Sequence, residues 1–283
     1  MLLAQDYVDT ERYPIGNISS ATYTQLISRL RDELRSVGCA VVPGFIRAQH
    51  VPALVEEADS VAPHAHRSFN RTNAYFTRDD ESLPRAHPVR RFYDRSNAFV
   101  PADNFAAQSP LRALYEWPPL MAFIRDALEE RSFHRYADPL ADVIINVVEH
   151  GSGFPWHFDT NNYTVTLSIQ NGEAGGLFEY VPNLRSAAAE NYAGVQAILD
   201  GDHGLVRSLQ LNPGDLQIFK GRYSLHRVTA VQGQRRRYVG IFSFVDRPGM
   251  VAKVERAMQL YGRALPVHYA ARKGENRNDD LLD

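Results

Sequence analysis

The period of the apolar positions changes about halfway along the chain. Residues 21–37 place Leu26, Ile27, Leu30, Leu34 and Val37 on one helical face, and Gly38 stands where a helix should end. The same spacing predicts helices over 47–62 and 109–129. Ser109-Pro110 suits the start of the second, and Pro118-Pro119 should kink or split it. A short apolar run, Cys39 to Val42, leads into the Pro43-Gly44 turn. Residues 63–108, rich in Arg, Asn, His and Pro, read as a long functional loop or lid. Beyond residue 142 the pattern becomes that of strands: 142–149, 163–170, 177–181, 205–211, 215–220, 226–231 and 236–245, punctuated by Gly, Pro, Asn or Asp. Helical stretches are expected at 184–200 and 250–262, with a frayed polar tail over 275–283.

Many short strands at this spacing predict a sandwich, jelly roll or barrel. Helices packed on one face of such a core make an α+β protein. The expected organisation is one domain over 1–283. It comprises a helical part to about 140, a β-core over about 141–247, and a C-terminal helix and tail over 248–283.

Apolar residues make up 44% and charged residues 23% of the 283 positions, which excludes a disordered chain. Thirty-one basic residues nearly balance 33 acidic ones, so a nucleic-acid partner is not expected. No apolar run is long enough for a membrane span, and the N-terminus lacks the layout of a signal peptide. A single cysteine, Cys39, allows no intrachain disulfide and suggests a reducing, cytoplasmic setting.

Among ten histidines one pair of positions stands out. In His157-Phe158-Asp159 the imidazole and the carboxylate fall on the same side of an extended segment. His226 opens a different strand, 67 residues after Asp159. Two His and one carboxylate on one side of a metal leave three coordination positions open, the pattern of non-haem Fe(II) oxygenases. Zinc accepts the same donors, but the sequence offers no H-E-x-x-H and no evident glutamate base. Arg235, Arg236 and Arg237 then run into the apolar strand VGIFSF. An arginine pointing into a β-core requires an anion, and a dicarboxylate cosubstrate supplies one.

The order H-x-D, distal His, then Arg about ten residues later resembles the Fe(II)/2-oxoglutarate-dependent dioxygenases. The stretches GFPWHFDTNNYTVTLSIQNGEAGGLFEYVPNLR and NPGDLQIFKGRYSLHRVTAVQGQRRRYVGIFSF look like the branch that hydroxylates or halogenates free amino acids. The resemblance spans roughly residues 140–247. It implies a double-stranded β-helix (a cupin-like jelly roll) with flanking N-terminal helices. It also implies Fe(II) on His157, Asp159 and His226, with 2-oxoglutarate and O2 as cosubstrates. Arg237, or else Arg235, would grip the distal carboxylate of 2-oxoglutarate. Halogenating members carry Gly in place of the metal-binding carboxylate. Asp159 therefore implies hydroxylation, or desaturation or ring formation by the same chemistry, of an amino acid or a derivative.

Several further residues carry weaker expectations. Trp156 and Phe158 read as core, Gly175-Gly176 as a turn, and His64 with His66 as loop residues. Tyr163 and Thr166 are candidate donors to the cosubstrate, and Arg90 and Arg91 candidate contacts to a substrate carboxylate. Two other classes compete: a zinc-dependent cupin-like hydrolase, which would not bind 2-oxoglutarate, and a non-catalytic metal-binding module, which would turn nothing over.

Overall fold

A computed structural model describes residues 2–271 and 281–282. The expectation for the tail falls mostly outside the described residues. Of it, Leu281 is buried, and the Leu282 carbonyl accepts from Arg185.

Two antiparallel sheets carry the fold. The larger has seven strands in the order Cys39–Val42, Leu216–Phe219, Thr164–Gln170, Arg237–Phe242, Val143–Val148, Tyr93–Val100 and His66–Thr72. The smaller has four, in the order Arg207–Leu209, Phe178–Val181, Leu225–Val228 and Phe154–His157. This is the double-stranded β-helix that the strand pattern and the resemblance predict.

The two faces of the large sheet differ because side chains alternate along each strand. Val165, Leu167, Ile169, Leu216, Ile218, Phe242, Val143, Ile145, Val147, Ala98 and Val100 face outward into one apolar core. The N-terminal helices cover that face with Leu30, Leu34, Leu54, Leu111, Leu114 and Phe123. The alternate positions point into the barrel, and there Arg95, Asn97, Asn146, Ser168, Gln217 and Arg237 are buried polar residues. Burying polar groups is costly unless they are paired. Asn146 donates to Ala98 O, Gln217 accepts from Thr166, and Asn97 accepts from Arg95, so the inner face is held by its own polar contacts as well as shaped for ligands.

Helix signals were well placed. The helix Ala21–Val37 starts at Ser20, whose hydroxyl accepts from the Tyr23 amide, and stops at Gly38, which adopts φ 67°. Residues 109–129 divide at the prolines into Pro110–Glu116 and Pro118–Leu128. The later helices are shorter than expected, at Tyr192–Leu199 and Val254–Tyr261.

The reading of 63–108 as one loop is corrected. It contains the strands His66–Thr72 and Tyr93–Val100, which extend the large sheet beyond Val143–Val148. With Cys39–Val42, three of the seven strands come from the half expected to be mostly helical. In His66–Thr72 and Tyr93–Val100 most inward positions are polar, among them Ser68, Asn70, Arg95 and Asn97, which hides the usual apolar alternation. The remaining connection, 73–92, carries a single 3-10 turn, Pro88–Arg90, and is held by Asn73. Its side-chain oxygen accepts from the amides of Tyr75 and Thr77, and its amide group donates to Val89 O at 2.6 Å.

Cys39 sits beneath the inner face, its sulfur accepting from Gln217 Nε2 at 3.3 Å. Burial pushes its thiol up to about 11. Iodoacetamide at pH 8 is expected to label the native protein at least about 100-fold more slowly than the unfolded chain. Comparable rates by mass spectrometry would contradict this placement.

Candidate active site

The strand Phe154–His157 and the strand Leu225–Val228 pair with His157 opposite His226. Their imidazole rings lie 4.1 Å apart between centroids. Asp159, just past the first strand, brings Oδ1 to 3.4 Å from His226 Nε2 and 3.8 Å from His157 Nε2. One donor atom from each residue lies within 4.8 Å of the others. Among the described residues this is the only such group of three or more His, Cys, Asp or Glu.

The backbone fixes which nitrogen faces the centre. His157 Nδ1 lies 2.7 Å from Pro155 O, and His226 Nδ1 lies 2.9 Å from Ser224 O. A carbonyl oxygen can only accept, so both Nδ1 atoms carry the proton and both Nε2 lone pairs point at the shared space. This is the support that metal-ligating histidines generally have. Burial, then the neighbouring His226 and Arg95, hold the His157 pKa well below its ordinary value, which keeps the ring neutral. Burial pushes the Asp159 carboxyl up. The imidazoles of His226 and His157 and the Thr164 hydroxyl outweigh that and hold it below the usual carboxylate range.

Asp159 is positioned by three contacts. Its amide donates to Gly221 O at 3.1 Å, and Thr164 Oγ1 donates to Oδ2 at 2.7 Å. Gly221 lies against the carboxylate itself: a Cβ there would stand 1.9 Å from Oδ2.

Arg237 points into the barrel, 8% exposed, on the strand next to Val143–Val148. It has no hydrogen-bond or ion-pair partner among the described residues, and burial alone pulls its pKa down to about 10. Gly176, at φ 65°, makes room for it, since a Cβ there would stand 2.9 Å from Arg237 Cδ. The Gly175-Gly176 pair is thus more than a turn. Arg235 lies on the surface and donates to the carbonyls of Asn171 and Gly172. Arg236 pairs with Glu149 at 3.1 Å.

The other expectations divide. Trp156 and Phe158 are core residues, stacked under Arg227 at 4.6 Å and Arg185 at 4.0 Å. Thr166 faces inward and donates to Gln217, whereas Tyr163 packs on Phe133 in the outer core. Arg90 and Arg91 do not reach the site. Arg90 pairs with Asp79, and Arg91 pairs with Asp200. The sequence reading missed Phe76, Arg95 and Arg256. Phe76 lies 5.5 Å from the His157 ring, and both guanidiniums stand over it.

A family model described as Halogenase D matches residues 22–259. The chain belongs to that family. No curated protein matches it. Among solved structures it is similar to SnoN, a non-heme alpha ketoglutarate dependent epimerase from nogalamycin biosynthesis. Identity is 15% over 79% of this chain and 84% of that one, with a TM-score of 0.55. It is also similar to AviO1 from Streptomyces viridochromogenes Tue57, at 16% identity over 78% and 95% of the chains and a TM-score of 0.54. The carbocyclase SnoK, also from nogalamycin biosynthesis, matches at 14% identity over 77% and 84%, with a TM-score of 0.51. The fold is that of the Fe(II)- and 2-oxoglutarate-dependent oxygenases, and the protein is an oxidoreductase of that class. The donor set fits the metal: two imidazoles and one carboxylate on one side suit Fe(II) and would leave positions for a 2-oxo acid and O2. No helix among the described residues is long and apolar enough to cross a membrane.

Proposed function

We propose that this protein hydroxylates an unactivated C–H bond of a free amino acid or an amino-acid-derived small molecule, in the cytoplasm and as one domain over 1–283. In this reading His157 Nε2, Asp159 Oδ1 and His226 Nε2 hold Fe(II), and Arg237 holds the distal carboxylate of 2-oxoglutarate. When bound, the metal and cosubstrate supply the oxidising chemistry, with succinate and CO2 as coproducts. The protein's residues orient and insulate. Pro155 O and Ser224 O fix the two imidazoles, Thr164 fixes the carboxylate, and the aromatic rings of Phe76, Phe154, Phe178 and Phe219 shield the histidines from water.

The family's name points to halogenation, and Asp159 supports the other outcome. A halide needs a vacant place on the metal, and here a carboxylate is held in that place by Thr164 with space cleared by Gly221. The observation that carries the cosubstrate assignment is Arg237, a buried cation without a partner among the described residues. A zinc hydrolase has no use for it.

Anaerobic titration of metal-free protein with Fe(II) and 2-oxoglutarate tests the reading. A visible charge-transfer band should appear only when both are present. No band, with zinc retained tightly, would favour the hydrolase. Arg235→Ala removes a surface cap on two carbonyls and should leave the 2-oxoglutarate requirement within about twofold, as surface changes usually do. A large rise in steady-state assays would move the cosubstrate to Arg235.

A further inference from the structure

Two cations beside the triad have no ion-pair partner among the described residues. Arg95 is 5% exposed on the inner face of Tyr93–Val100. Its Nε and Nη2 are satisfied by Asn97, whose amide oxygen accepts from them at 2.6 and 3.0 Å in the orientation that also lets its nitrogen donate to Ser96 O. Nη1 is buried and has no partner. The guanidinium stacks on Phe76 at 4.4 Å and Phe154 at 4.5 Å, and these are the rings against His157. Arg256, half-buried on the helix Val254–Tyr261, stands over the same Phe76 ring at 5.8 Å. Among the described residues its one hydrogen bond is to Gln259 on its own helix.

The loop pays attention to this geometry in its backbone: Phe76 has φ 59°, a left-handed conformation that a bulky side chain adopts only when held there. Among the described residues the charged and titratable groups around the two arginines are Asp159, His157, Tyr93, Tyr136 and Tyr261. Asp159 is the sole carboxylate among them, and the metal uses it. Fe(II) and 2-oxoglutarate carry equal and opposite charge, and Asp159 offsets Arg237. Arg95 and Arg256 then leave two positive charges in a low-dielectric site, where unpaired charge is costly.

We propose that the substrate presents a dianionic group, two carboxylates or one phosphate monoester, to Arg95 and Arg256 across Phe76. This rests on the function proposed above and narrows its substrate class. Among the described residues around the two arginines no carboxylate other than Asp159 stands ready for an ammonium. The buried, unpartnered Asn70 Oδ1, on the residue opposite Arg95 in the neighbouring strand, suits a neutral N–H or O–H donor such as an acylated amine or a hydroxyl. An acidic, N-acylated amino acid has all of these features.

The test uses anaerobic protein with Fe(II) and saturating 2-oxoglutarate, read by the charge-transfer band and by thermal midpoint. Probes are N-acetyl-L-glutamate, glycerol 3-phosphate, L-leucine and L-lysine. One of the two dianions should shift the band and raise the midpoint well beyond either amino acid, with the effect weakening as salt rises. The probe that does so identifies carboxylate or phosphate as the source of the charge. Arg256→Gln should weaken that probe at least 30-fold, and Arg256→Lys should recover part of the loss. The inference is overturned if leucine or lysine binds best, or if neither dianion outperforms them. It is also overturned if Arg256→Gln, rather than a change at Arg237, raises the 2-oxoglutarate requirement. A normal band without a dianion response defeats this inference alone, whereas absence of the band defeats the cofactor reading beneath it.

Discussion

Alanine in place of Gly221 is expected to damage iron binding almost as severely as alanine in place of His226. The His226 change removes one of three donor atoms. The Gly221 change adds a Cβ that would stand 1.9 Å from Asp159 Oδ2 and 2.6 Å from its Cγ, so the carboxylate must leave. Neither backbone can easily yield, because the Asp159 amide is bonded to the Gly221 carbonyl. Gly221 is not among the positive-φ glycines, so alanine meets no backbone obstacle and the overlap with Asp159 is the whole effect. Supporting residues of metal sites typically contribute 10–100-fold in affinity, and a displaced ligand should exceed that, at about 100-fold or more. Anaerobic Fe(II) titration measures it. Combining Gly221→Ala with Asp159→Gly removes the overlap, so thermal stability should return while iron affinity does not. An Fe(II) affinity for Gly221→Ala within threefold of the unmodified protein would show that Asp159 is not held as a ligand.

Arg237→Met should move two observables in opposite directions. A buried guanidinium without a partner destabilises the ligand-free protein. An apolar side chain of similar volume relieves that by on the order of 1–2 kcal/mol, a rise of roughly 2–8 °C in Tm. The same change removes the proposed partner of the cosubstrate carboxylate. Truncating one side of a buried charge pair costs about 2–5 kcal/mol, so the 2-oxoglutarate requirement should rise by about 100-fold. Calorimetry also separates the states. At 100 times its Kd, 2-oxoglutarate should stabilise the unmodified iron-loaded protein by about 2.7 kcal/mol and Arg237→Met scarcely at all. A stabilised variant with an unchanged 2-oxoglutarate requirement would place the cosubstrate elsewhere.

The limits of the sequence reading follow the two faces of the large sheet. Where a strand is apolar on at least one side, as in Val143–Val148 or Thr164–Gln170, the pattern located it within a residue or two. Helices were legible wherever caps and prolines marked them, as at Ser20, Gly38 and Pro118. Tyr93–Val100 and His66–Thr72 escaped because Arg95, Asn97, Ser68 and Asn70 occupy inward positions, and a polar inward face looks like a loop. The His157, Asp159 and His226 group was visible because H-x-D and a distal His are sequence-local or strand-local features. Arg95, Phe76 and Arg256 come from a strand, a loop and a C-terminal helix, and nothing in their spacing joins them. Arg90 and Arg91 illustrate the converse. They stood out as neighbouring cations in a polar stretch and proved to bind Asp79 and Asp200.

The sheet's division of labour has a consequence for how such a protein changes over generations. Its outer positions, among them Leu167, Ile169, Ile145 and Val147, interlock with helices from distant parts of the chain, so a replacement there tends to need compensating replacements. Inner positions such as Ser168 lie outside that interlocked apolar core. Lineages can therefore explore new molecules by exchanging inner residues singly, while the scaffold that presents them is inherited intact.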